Sequence, residues 1–225
     1  MSGADPNRWW RAGLALVLPV ARALVRVRSE GLERVPSRGA AVLAFDHVSV
    51  LDGPLLAIEM MRGARRKTRF LVAAEVFRAP IVGPILRRYE QIPIRRGQGD
   101  EGALDRAVGA IRDGALAAIA PEGRVNPRPD DGLLRIRTGA ARIALASGAP
   151  LLPVGIWGTQ RRWPYRGPHL GRPLRPIVGI SVGPPILPVG DVEDPEVVAA
   201  FTERVAEGLA LQVARAKTLA QPRAS

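Results

Sequence analysis

The sequence AAVLAFDHVSVLDGP, residues 40–54, joins an apolar run to a polar turn. Residues 40–45 are all apolar, a pattern typical of a strand that is buried on both faces, as in a parallel sheet. Residues 54–58 predict a helix, with Asp52 as its N-cap and Pro54 in its first turn. The stretch therefore predicts a strand-to-helix connection with His47 at the end of the strand.

His47 and Asp52 are candidates for a general base and the carboxylate that orients it. Histidine has an unperturbed pKa of about 6.5, the value nearest to neutrality among the side chains. In one continuous helix, five positions turn by roughly 140°, so the two side chains can meet only across a turn. The spacing alone leaves a plainer interpretation open, in which Asp52 is only a helix cap and His47 is a solvated loop residue.

The composition limits the classes of function. A chain of 225 residues with 47% apolar content can bury one good core, which favours a single domain. The absence of cysteine excludes disulfides, thiolate metal sites and a covalent acyl-cysteine intermediate. The net charge of +12, mostly from arginine, predicts an anionic partner. With only 4% aromatic residues, single-stranded nucleic acid is a weaker candidate than an anionic membrane surface or a phosphorylated substrate.

The first 30 residues predict an interfacial helix and a lead-in strand. Trp9 and Trp10 precede an apolar segment, and the uncharged interval between Arg11 and Arg22 is ten residues, about half of what a membrane-spanning helix needs. Indole rings and basic side chains around a short apolar helix are typical of an amphipathic helix at a membrane interface. An amphipathic core helix and a signal peptide remain alternatives.

The rest of the chain alternates between predicted strands and helices. Strands are predicted at 25–28, 70–73, 91–94, 116–120, 151–156 and 177–182, and helices at 81–88, 101–112, 139–147 and from Asp194 onward. This pattern predicts a single α/β domain with a largely parallel central sheet flanked by helices. The last helix has an apolar stripe that predicts packing on the core: Val197, Phe201, Val205, Leu209 and Val213. Residues 217–225 are predicted to form a disordered tail.

Four sequence blocks occur in order at intervals of roughly thirty to forty-five residues. They are His-x-x-x-x-Asp at 47–52, QIPIRR at 91–96, PEG at 121–123 and APLLPV at 149–154. Together they resemble the blocks of the lysophosphatidic acid acyltransferase family of glycerolipid enzymes. The resemblance covers about residues 31–159 and implies an acyltransferase domain over 31–216.

The resemblance implies roles for the two reacting residues. His47 would remove the proton of an acceptor hydroxyl as it attacks a thioester carbonyl, and Asp52 would hold the imidazole tautomer. The transfer would be direct, without an acyl-enzyme, so Ser49 is not expected to act as a nucleophile. Asp46 stands where the family often has asparagine and places a further carboxylate beside His47.

The resemblance also implies the binding residues. Arg96 matches the arginine that is thought to hold the acceptor's phosphate, and Glu122 with Gly123 matches the block assigned to the acceptor. The family continues this block with Thr, Arg and Ser, so Arg124 stands one position early as a possible replacement for the arginine. Pro150 is either linked to acyl-donor binding or structural.

The expected reaction moves a fatty acyl group from acyl-CoA or acyl carrier protein to a lysophospholipid-like acceptor, with lysophosphatidic acid as the leading candidate. No cofactor and no metal are expected, and the expected location is peripheral, on an anionic membrane surface at its cytoplasmic face. An inactive lipid- or anion-binding protein of the same fold is the alternative.

A nucleotide-linked enzyme is a third possibility, because residues 97–102 fit G-x-G-x-x-G and Glu122 follows twenty positions later. Asp100 and Glu101 would oppose a pyrophosphate there.

Overall fold

The structure is a computed structural model that describes residues 8–95, 101–169, 171 and 173–222. Within these residues seven strands form one sheet in the order β1-β7-β6-β2-β5-β3-β4. The strands are β1 Arg26–Glu30, β2 Ala41–Phe45, β3 Thr68–Ala73, β4 Ile92–Ile94, β5 Leu116–Ile119, β6 Leu151–Trp157 and β7 Ile177–Val182. Neighbours pair in parallel except β6 and β7, which are antiparallel. β1 and β7 therefore run opposite to the other five strands.

Helices cover both faces of the sheet. The helices in the described chain are α1 Arg8–Leu24, α2 Asp52–Glu59, α3 Val82–Arg88, α4 Glu101–Arg112, α5 Gly139–Ser147 and α6 Pro195–Leu219. Apolar side chains of α1 and α2 pack on one face, where Leu43 and Phe45 of β2 point. Those of α4, α5 and α6 pack on the other, where Val42 and Ala44 point. This alternation along β2 confirms the predicted α/β domain with a largely parallel central sheet.

The strand-to-helix connection after β2 differs in one detail from the prediction. Helix α2 begins at Asp52 itself and its N-cap is Leu51, whose side chain makes no capping hydrogen bond. Asp52 is therefore not the cap. Its carboxylate instead accepts hydrogen bonds from the backbone N–H groups of Val48 and Ser49, which lie in the turn before the helix. The carboxylate thus stabilises the turn that carries His47.

Helix α6 crosses β6 and β7 at very close range. A Cβ atom added to Gly155 would lie 2.1 Å from the backbone of Gln212, and one added to Gly179 would lie 2.1 Å from the carbonyl oxygen of Ala216. Only glycine fits at these two strand positions, because any side chain would collide with the helix backbone. The two glycines therefore set the distance between the helix and the sheet.

The buried side of α6 agrees with the predicted stripe from Phe201 to Val213, but its first member is Val198 rather than Val197. The helix begins at the predicted cap, where the Asp194 carboxylate accepts a hydrogen bond from the N–H of Glu196 at 2.8 Å. It continues to Leu219, and Ala220 is buried. The prediction of a disordered tail is therefore wrong for 217–220, while 223–225 lie outside the described residues.

Helix α1 has one side on the core and one side in solvent. Leu18, Ala21 and Leu24 pack against the α2 face of the core, whereas Leu16 is 76% exposed and Val20 is 56% exposed. Nowhere in the described residues does a helix have the length and apolar character needed to cross a membrane.

Trp10 does not act as an exposed interfacial ring. Its indole is buried, and it meets the ring of Tyr89, just after α3, edge to face with centroids 4.9 Å apart. This tryptophan therefore packs within the protein, and the membrane contact of the helix stays a prediction. Its ring instead attaches α1 to the segment that follows α3.

Candidate active site

The predicted site residues meet at one edge of the sheet. β2 and β5 are parallel neighbours, with Ala44 opposite Ile119, so the segments after Phe45 and after Ile119 leave the sheet side by side. The first carries His47 and the second carries Glu122. In open α/β sheets, ligands bind outside the carboxyl ends of the strands. This edge is therefore the candidate active site.

His47 and Asp52 form a hydrogen-bonded pair across the turn. His47 Nδ1 lies 3.0 Å from Asp52 Oδ2; the carboxylate is fully buried and the imidazole side chain is 23% exposed. When Nδ1 carries the proton, it donates to the carboxylate and leaves Nε2 as a hydrogen-bond acceptor. Among the described residues Nε2 has no hydrogen-bond partner. The pair is thus arranged as a base and its orienting carboxylate.

The imidazole also has an aromatic support. The ring of Phe45 meets it edge to face with centroids 5.9 Å apart, and Phe70 meets Phe45 in the same manner at 5.8 Å. Phe45 and Phe70 are buried in the core beneath the site. The position of the imidazole is therefore determined both by Asp52 and by packing.

Thr159 completes the hydrogen bonding of Asp52. Its buried hydroxyl donates to Asp52 Oδ1 at 2.6 Å, while Oδ2 accepts from His47 and from two backbone N–H groups. Thr159 follows β6, which pairs with β2, so the sheet brings it to the same edge. Sequence reasoning missed this residue because it lies 107 positions from Asp52 and belongs to none of the four blocks.

Glu122 makes hydrogen bonds to the backbone on both sides of the site, and its predicted contact with the acceptor stays a prediction. Its carboxylate is buried, Oε1 accepts from the backbone N–H of His47 at 2.9 Å, and Oε2 accepts from that of Leu134 at 2.8 Å. Burial raises the pKa of Glu122, and the hydrogen bonds from His47 and Leu134 oppose that rise. Because each oxygen accepts from a backbone N–H group, Glu122 positions His47 and the following loop.

Asn126 holds the same loop from the other side. Its backbone N–H donates to the carbonyl oxygen of His47 at 2.6 Å, and its side-chain amide donates to the carbonyl oxygen of Gly132 at 2.8 Å. The backbone N–H and C=O of His47 are therefore both bonded to the segment after β5. The sequence analysis assigned no role to Asn126.

Gly123 lies beside two arginines of this segment. Gly123 has φ +74°, and an added Cβ would lie 3.1 Å from Arg137 Nε, so a side chain there would be strained and crowded. Arg124 and Arg137 are exposed. Arg124 has no ion-pair partner in the described residues. These guanidinium groups are available to an anion.

Asp46 is a buried carboxyl beside the pair. Its Oδ1 accepts from the backbone N–H of Ile156 at 2.6 Å, and Oδ2 has no hydrogen-bond partner among the described residues. Burial, followed by the negative charges of Asp52 and Glu122, raises the pKa of Asp46 well above 3.8. A raised pKa favours the protonated carboxyl, the form that resembles asparagine in shape and charge.

Of three further residues considered in the sequence, the structure describes two, Ser49 and Pro150. Ser49 is fully buried and its hydroxyl accepts from the N–H of Leu51 at 3.1 Å, so it does not face His47 as a nucleophile. Pro150 lies just before β6, at the sheet edge opposite to His47, where its carbonyl oxygen accepts from Val42. That position favours its structural role. Arg96, predicted to hold the acceptor's phosphate, and residues 97–100 of the glycine motif lie outside the described residues.

Comparison with known proteins gives the family. The sequence model of the acyltransferase family matches residues 26–157, which run from β1 to the end of β6. An uncharacterized protein of Mycobacterium leprae is 29% identical over an alignment covering 81% of this chain and 58% of the relative. A lyso-ornithine lipid O-acyltransferase of Pseudomonas aeruginosa is 33% identical over 75% of this chain and 64% of the relative. The chain thus spans less than two-thirds of the length of each of these relatives.

A solved structure gives the same fold. The crystal structure of the 1-acyl-sn-glycerophosphate acyltransferase from Thermotoga maritima matches with a TM-score of 0.67 at 23% identity, over 96% of this chain and 83% of that one. The match confirms the α/β architecture. The family model spans more than half of the chain and includes His47, Asp52, Glu122 and Gly123. It confirms the family assignment that the four blocks suggested: the chain belongs to the acyltransferase family.

Proposed function

We propose that this protein transfers a fatty acyl group from a thioester donor, acyl-CoA or acyl carrier protein, to a hydroxyl of a lysophospholipid-like acceptor. The leading acceptor is lysophosphatidic acid, which would become phosphatidic acid. The observation that carries the proposal is the His47–Asp52 pair, with Nδ1 on a buried carboxylate and a part-exposed ring at the ligand edge of the sheet.

The pair supports direct transfer. His47 Nε2 takes the proton of the acceptor hydroxyl while its oxygen attacks the thioester carbonyl carbon. The C–S bond then breaks, and the imidazolium returns the proton to the leaving thiolate. Asp52 stabilises the transient imidazolium. No side chain of the protein forms a bond to the acyl group, which agrees with the absence of cysteine and with the buried position of Ser49.

The acceptor's anionic head group has a candidate location above Gly123. Arg124 and Arg137 are exposed beside this glycine, whose missing side chain allows close approach to the backbone. A guanidinium group can bind two phosphate oxygens at once and so fix orientation as well as charge. Arg96 belongs to the same proposal through the sequence resemblance alone.

A second acceptor class is a lyso-ornithine lipid, the substrate that the name of the Pseudomonas aeruginosa relative states. The observation that favours testing it is the sequence after Glu122-Gly123, where Arg124-Val125-Asn126 replaces the residues of the family that bind glycerophosphate acceptors. Asn126 is used internally to hold His47. Selection of the acceptor therefore depends on Arg124 and its exposed neighbours.

An inactive binding protein of the same fold is the alternative from another class. Loss of the base or of its partner would be expected in such a protein. Here both residues are present, hydrogen-bonded and supported by Thr159. We therefore favour the enzyme.

The test is the acceptor-dependent release of coenzyme A from a series of acyl-CoA donors, with acyl carrier protein donors as a second series. Because the chain contains no cysteine, a thiol-reactive dye reports only the released coenzyme. Lysophosphatidic acid, lyso-ornithine lipid and a neutral lysolipid form the acceptor panel. We expect release with lysophosphatidic acid or with lyso-ornithine lipid, and little release without an acceptor.

The matched variants are His47→Ala and His169→Ala, the two histidines of the chain. Loss of His47 should lower the rate by roughly 10²–10⁴-fold, the usual contribution of general-base catalysis. The exposed His169 should be replaceable without loss. Equal rates in the two variants would contradict the mechanism, and no release with any donor and acceptor would favour the binding protein.

A peripheral location on an anionic membrane at the cytoplasmic face is part of the same proposal. The exposed apolar residues of α1, Leu16, Val17 and Val20, support it. The net charge of +12 supports attraction to anionic lipid.

A further inference from the structure

A cavity of about 270 Å³ lies between α1, β1 and α2. Its floor is aliphatic: Val25, Leu55 and Ile58 are each at most 7% exposed, and Leu18 and Ala21 of α1 form a wall. In the described part of the chain no aromatic ring lines it. The cavity therefore suits a hydrocarbon chain and has no stacking surface for a nucleotide base.

Arginines surround the mouth of the cavity. Arg22, Arg26, Arg62 and Arg175 all line it and are exposed. Arg62 is paired with the buried Glu59 at 2.7 Å. No carboxylate of the described residues lies within ion-pair distance of the other three. Four guanidinium groups against one carboxylate leave an excess of three positive charges beside an apolar floor.

The cavity lies on the same sheet edge as His47. β1 and β7 run opposite to β2 and β6, so the amino ends of β1 and β7, next to Arg26 and Arg175, lie at the edge where β2 and β6 end. In the order β1-β7-β6-β2, three strand spacings separate β1 from β2, about 14 Å. Helix α2 connects the His47–Asp52 pair with the cavity, since it begins at Asp52 and lines the cavity with Leu55 and Ile58.

We propose that this cavity binds a single-chain anionic amphiphile, with the hydrocarbon chain on the aliphatic floor and the head group on Arg22, Arg26 and Arg175. The chain would displace water from apolar surface, and a carboxylate or phosphate would accept charge-assisted hydrogen bonds from the guanidinium groups. At ~30 Å³ per water, the volume equals roughly nine waters, enough for one chain of medium length. A fatty acid and a single-chain lysophospholipid share this chemistry.

This site goes beyond the proposed function, because it concerns binding beside the catalytic pair rather than turnover. The test is calorimetric titration of the full chain carrying His47→Ala, in which no transfer consumes the ligand. The probes are decyl phosphate, decanoate, inorganic phosphate and 1-decanol, each below the concentration at which it self-associates. Decyl phosphate and decanoate represent the two sources of the anion. Inorganic phosphate lacks the chain and 1-decanol lacks the charge.

We expect at least one of the two anionic decyl probes to bind, and inorganic phosphate and 1-decanol to bind at least tenfold more weakly. The one that binds more tightly identifies the head group. The double variant Arg22→Ala/Arg175→Ala should weaken the anionic probe by roughly tenfold or more. The matched control is Arg38→Ala/Arg65→Ala, which removes two exposed arginines that do not line the cavity.

A second variant tests the floor without changing charge. Ala21→Trp places a large ring from α1 into the cavity and should weaken both decyl probes, with folding checked by circular dichroism. Equal weakening by the two double arginine variants would overturn the proposal. So would inorganic phosphate binding as tightly as decyl phosphate, or decanol as tightly as decanoate. Because turnover is not measured, a negative result in this binding experiment would not contradict the proposed acyl transfer.

Discussion

Asp52 accepts four hydrogen bonds from two separate parts of the chain, the turn 47–49 and Thr159. Two come from the backbone N–H groups of its own turn, one from His47 and one from Thr159. A buried carboxylate with this many donors is fixed in orientation, and so is the imidazole that it holds. The geometry of the base thus depends on a hydroxyl that the sequence motifs do not include.

Replacement of Thr159 by valine is therefore expected to lower kcat by roughly tenfold or more, because a hydrogen bond to a charged group contributes about 1.5–3 kcal/mol. KM should change little, since the hydroxyl is fully buried and bonded to Asp52. Steady-state kinetics of Thr159→Val measure both quantities. Thr159→Ser keeps the hydroxyl and should retain most of the activity; a serine variant as impaired as the valine variant would contradict the positioning role.

The raised pKa of Asp46 makes stability depend on pH. A carboxyl whose pKa is higher in the folded than in the unfolded protein binds a proton on folding, so the free energy of unfolding falls as the pH rises between the two pKa values. Desolvation by burial is the main cause here. Asp46→Asn removes this loss and keeps an oxygen to accept from Ile156. We expect the stability of the variant relative to wild type to increase from about pH 4 upward.

Urea denaturation of wild type and Asp46→Asn across pH 4–8 measures this difference. Glu122, whose pKa is also raised, is present in both proteins, so its effect largely cancels in the comparison. A difference in unfolding free energy that stays constant with pH would mean that Asp46 is ionised in the folded protein. The same variant should remain active, because the neutral amide resembles the protonated carboxyl.

At the level of single residues, the sequence predicted some contacts of the site and missed others. His47 and Asp52 could be paired because a short turn connects them, and their contact is local. Glu122 could be placed at the same edge, but not its bonding, because its partners are backbone groups that carry no sequence signal. Thr159 could not be found, since only the pairing of β6 with β2 brings it to Asp52.

Helix α6 depends on two strand glycines for its position. Gly179→Ala would place a Cβ 2.1 Å from the carbonyl oxygen of Ala216 and 2.9 Å from Leu219 Cβ, so the helix would have to move away from the sheet. Overpacking of this kind typically costs about 1–3 kcal/mol. We expect Gly179→Ala to lower the free energy of unfolding by about 1 kcal/mol or more, as measured by urea denaturation.

Gly109 of α4 provides the matched control. It is exposed in the helix interior, and an added Cβ meets nothing within 4 Å. Alanine there should stabilise the protein by roughly 0.5–1 kcal/mol, because glycine is the poorer helix former. If both glycine variants changed stability in the same direction, close packing of α6 on the sheet would not be the reason for Gly179.

Elements were predicted best where their periodicity is strong. The buried strands and the start of α6 follow from apolar runs and from the Asp194-Pro195 cap. The end of α6 was missed, because Arg28 binds the carbonyl oxygens of Leu219 and Gln221 from 190 or more positions away. The role of Trp10 was missed for a similar reason, since its partner Tyr89 is remote in sequence.

The whole molecule combines a basic surface with an exposed apolar strip on α1. We expect it to bind vesicles containing phosphatidylglycerol more tightly than pure phosphatidylcholine vesicles, and more weakly as salt rises, because surface charges are screened. Leu16→Ser/Val20→Ser should reduce binding by removing two exposed apolar side chains of α1. Vesicle flotation measures each effect.

The control for this prediction is Leu187→Ser/Val189→Ser, which changes an exposed leucine and an exposed valine outside α1. Equal losses in the two double variants would show that α1 has no special part in membrane contact. Binding that is insensitive to salt would contradict the contribution of the net charge.

At this scale the single α/β domain and its largely parallel sheet follow from the alternation of strands and helices. The reversed direction of β1 and β7 does not, because local sequence records where a strand lies but not which way it runs in the sheet. That reversal brings Arg26 and Arg175 to the edge that carries His47.

The pairing of β1 with β7 also has a consequence during synthesis. β1 begins at Arg26, but its partner strand ends at Val182, so most of the protein must leave the ribosome before β1 can hydrogen-bond to the sheet. Until then β1 has no partner strand in the nascent chain, and α1, which precedes it, is not yet packed in its final position. Both segments are accessible to chaperones. The cavity beside α1, which β1 helps to line, is thus among the last features to form, and a ribosome-stalled truncation before β7 should lack it.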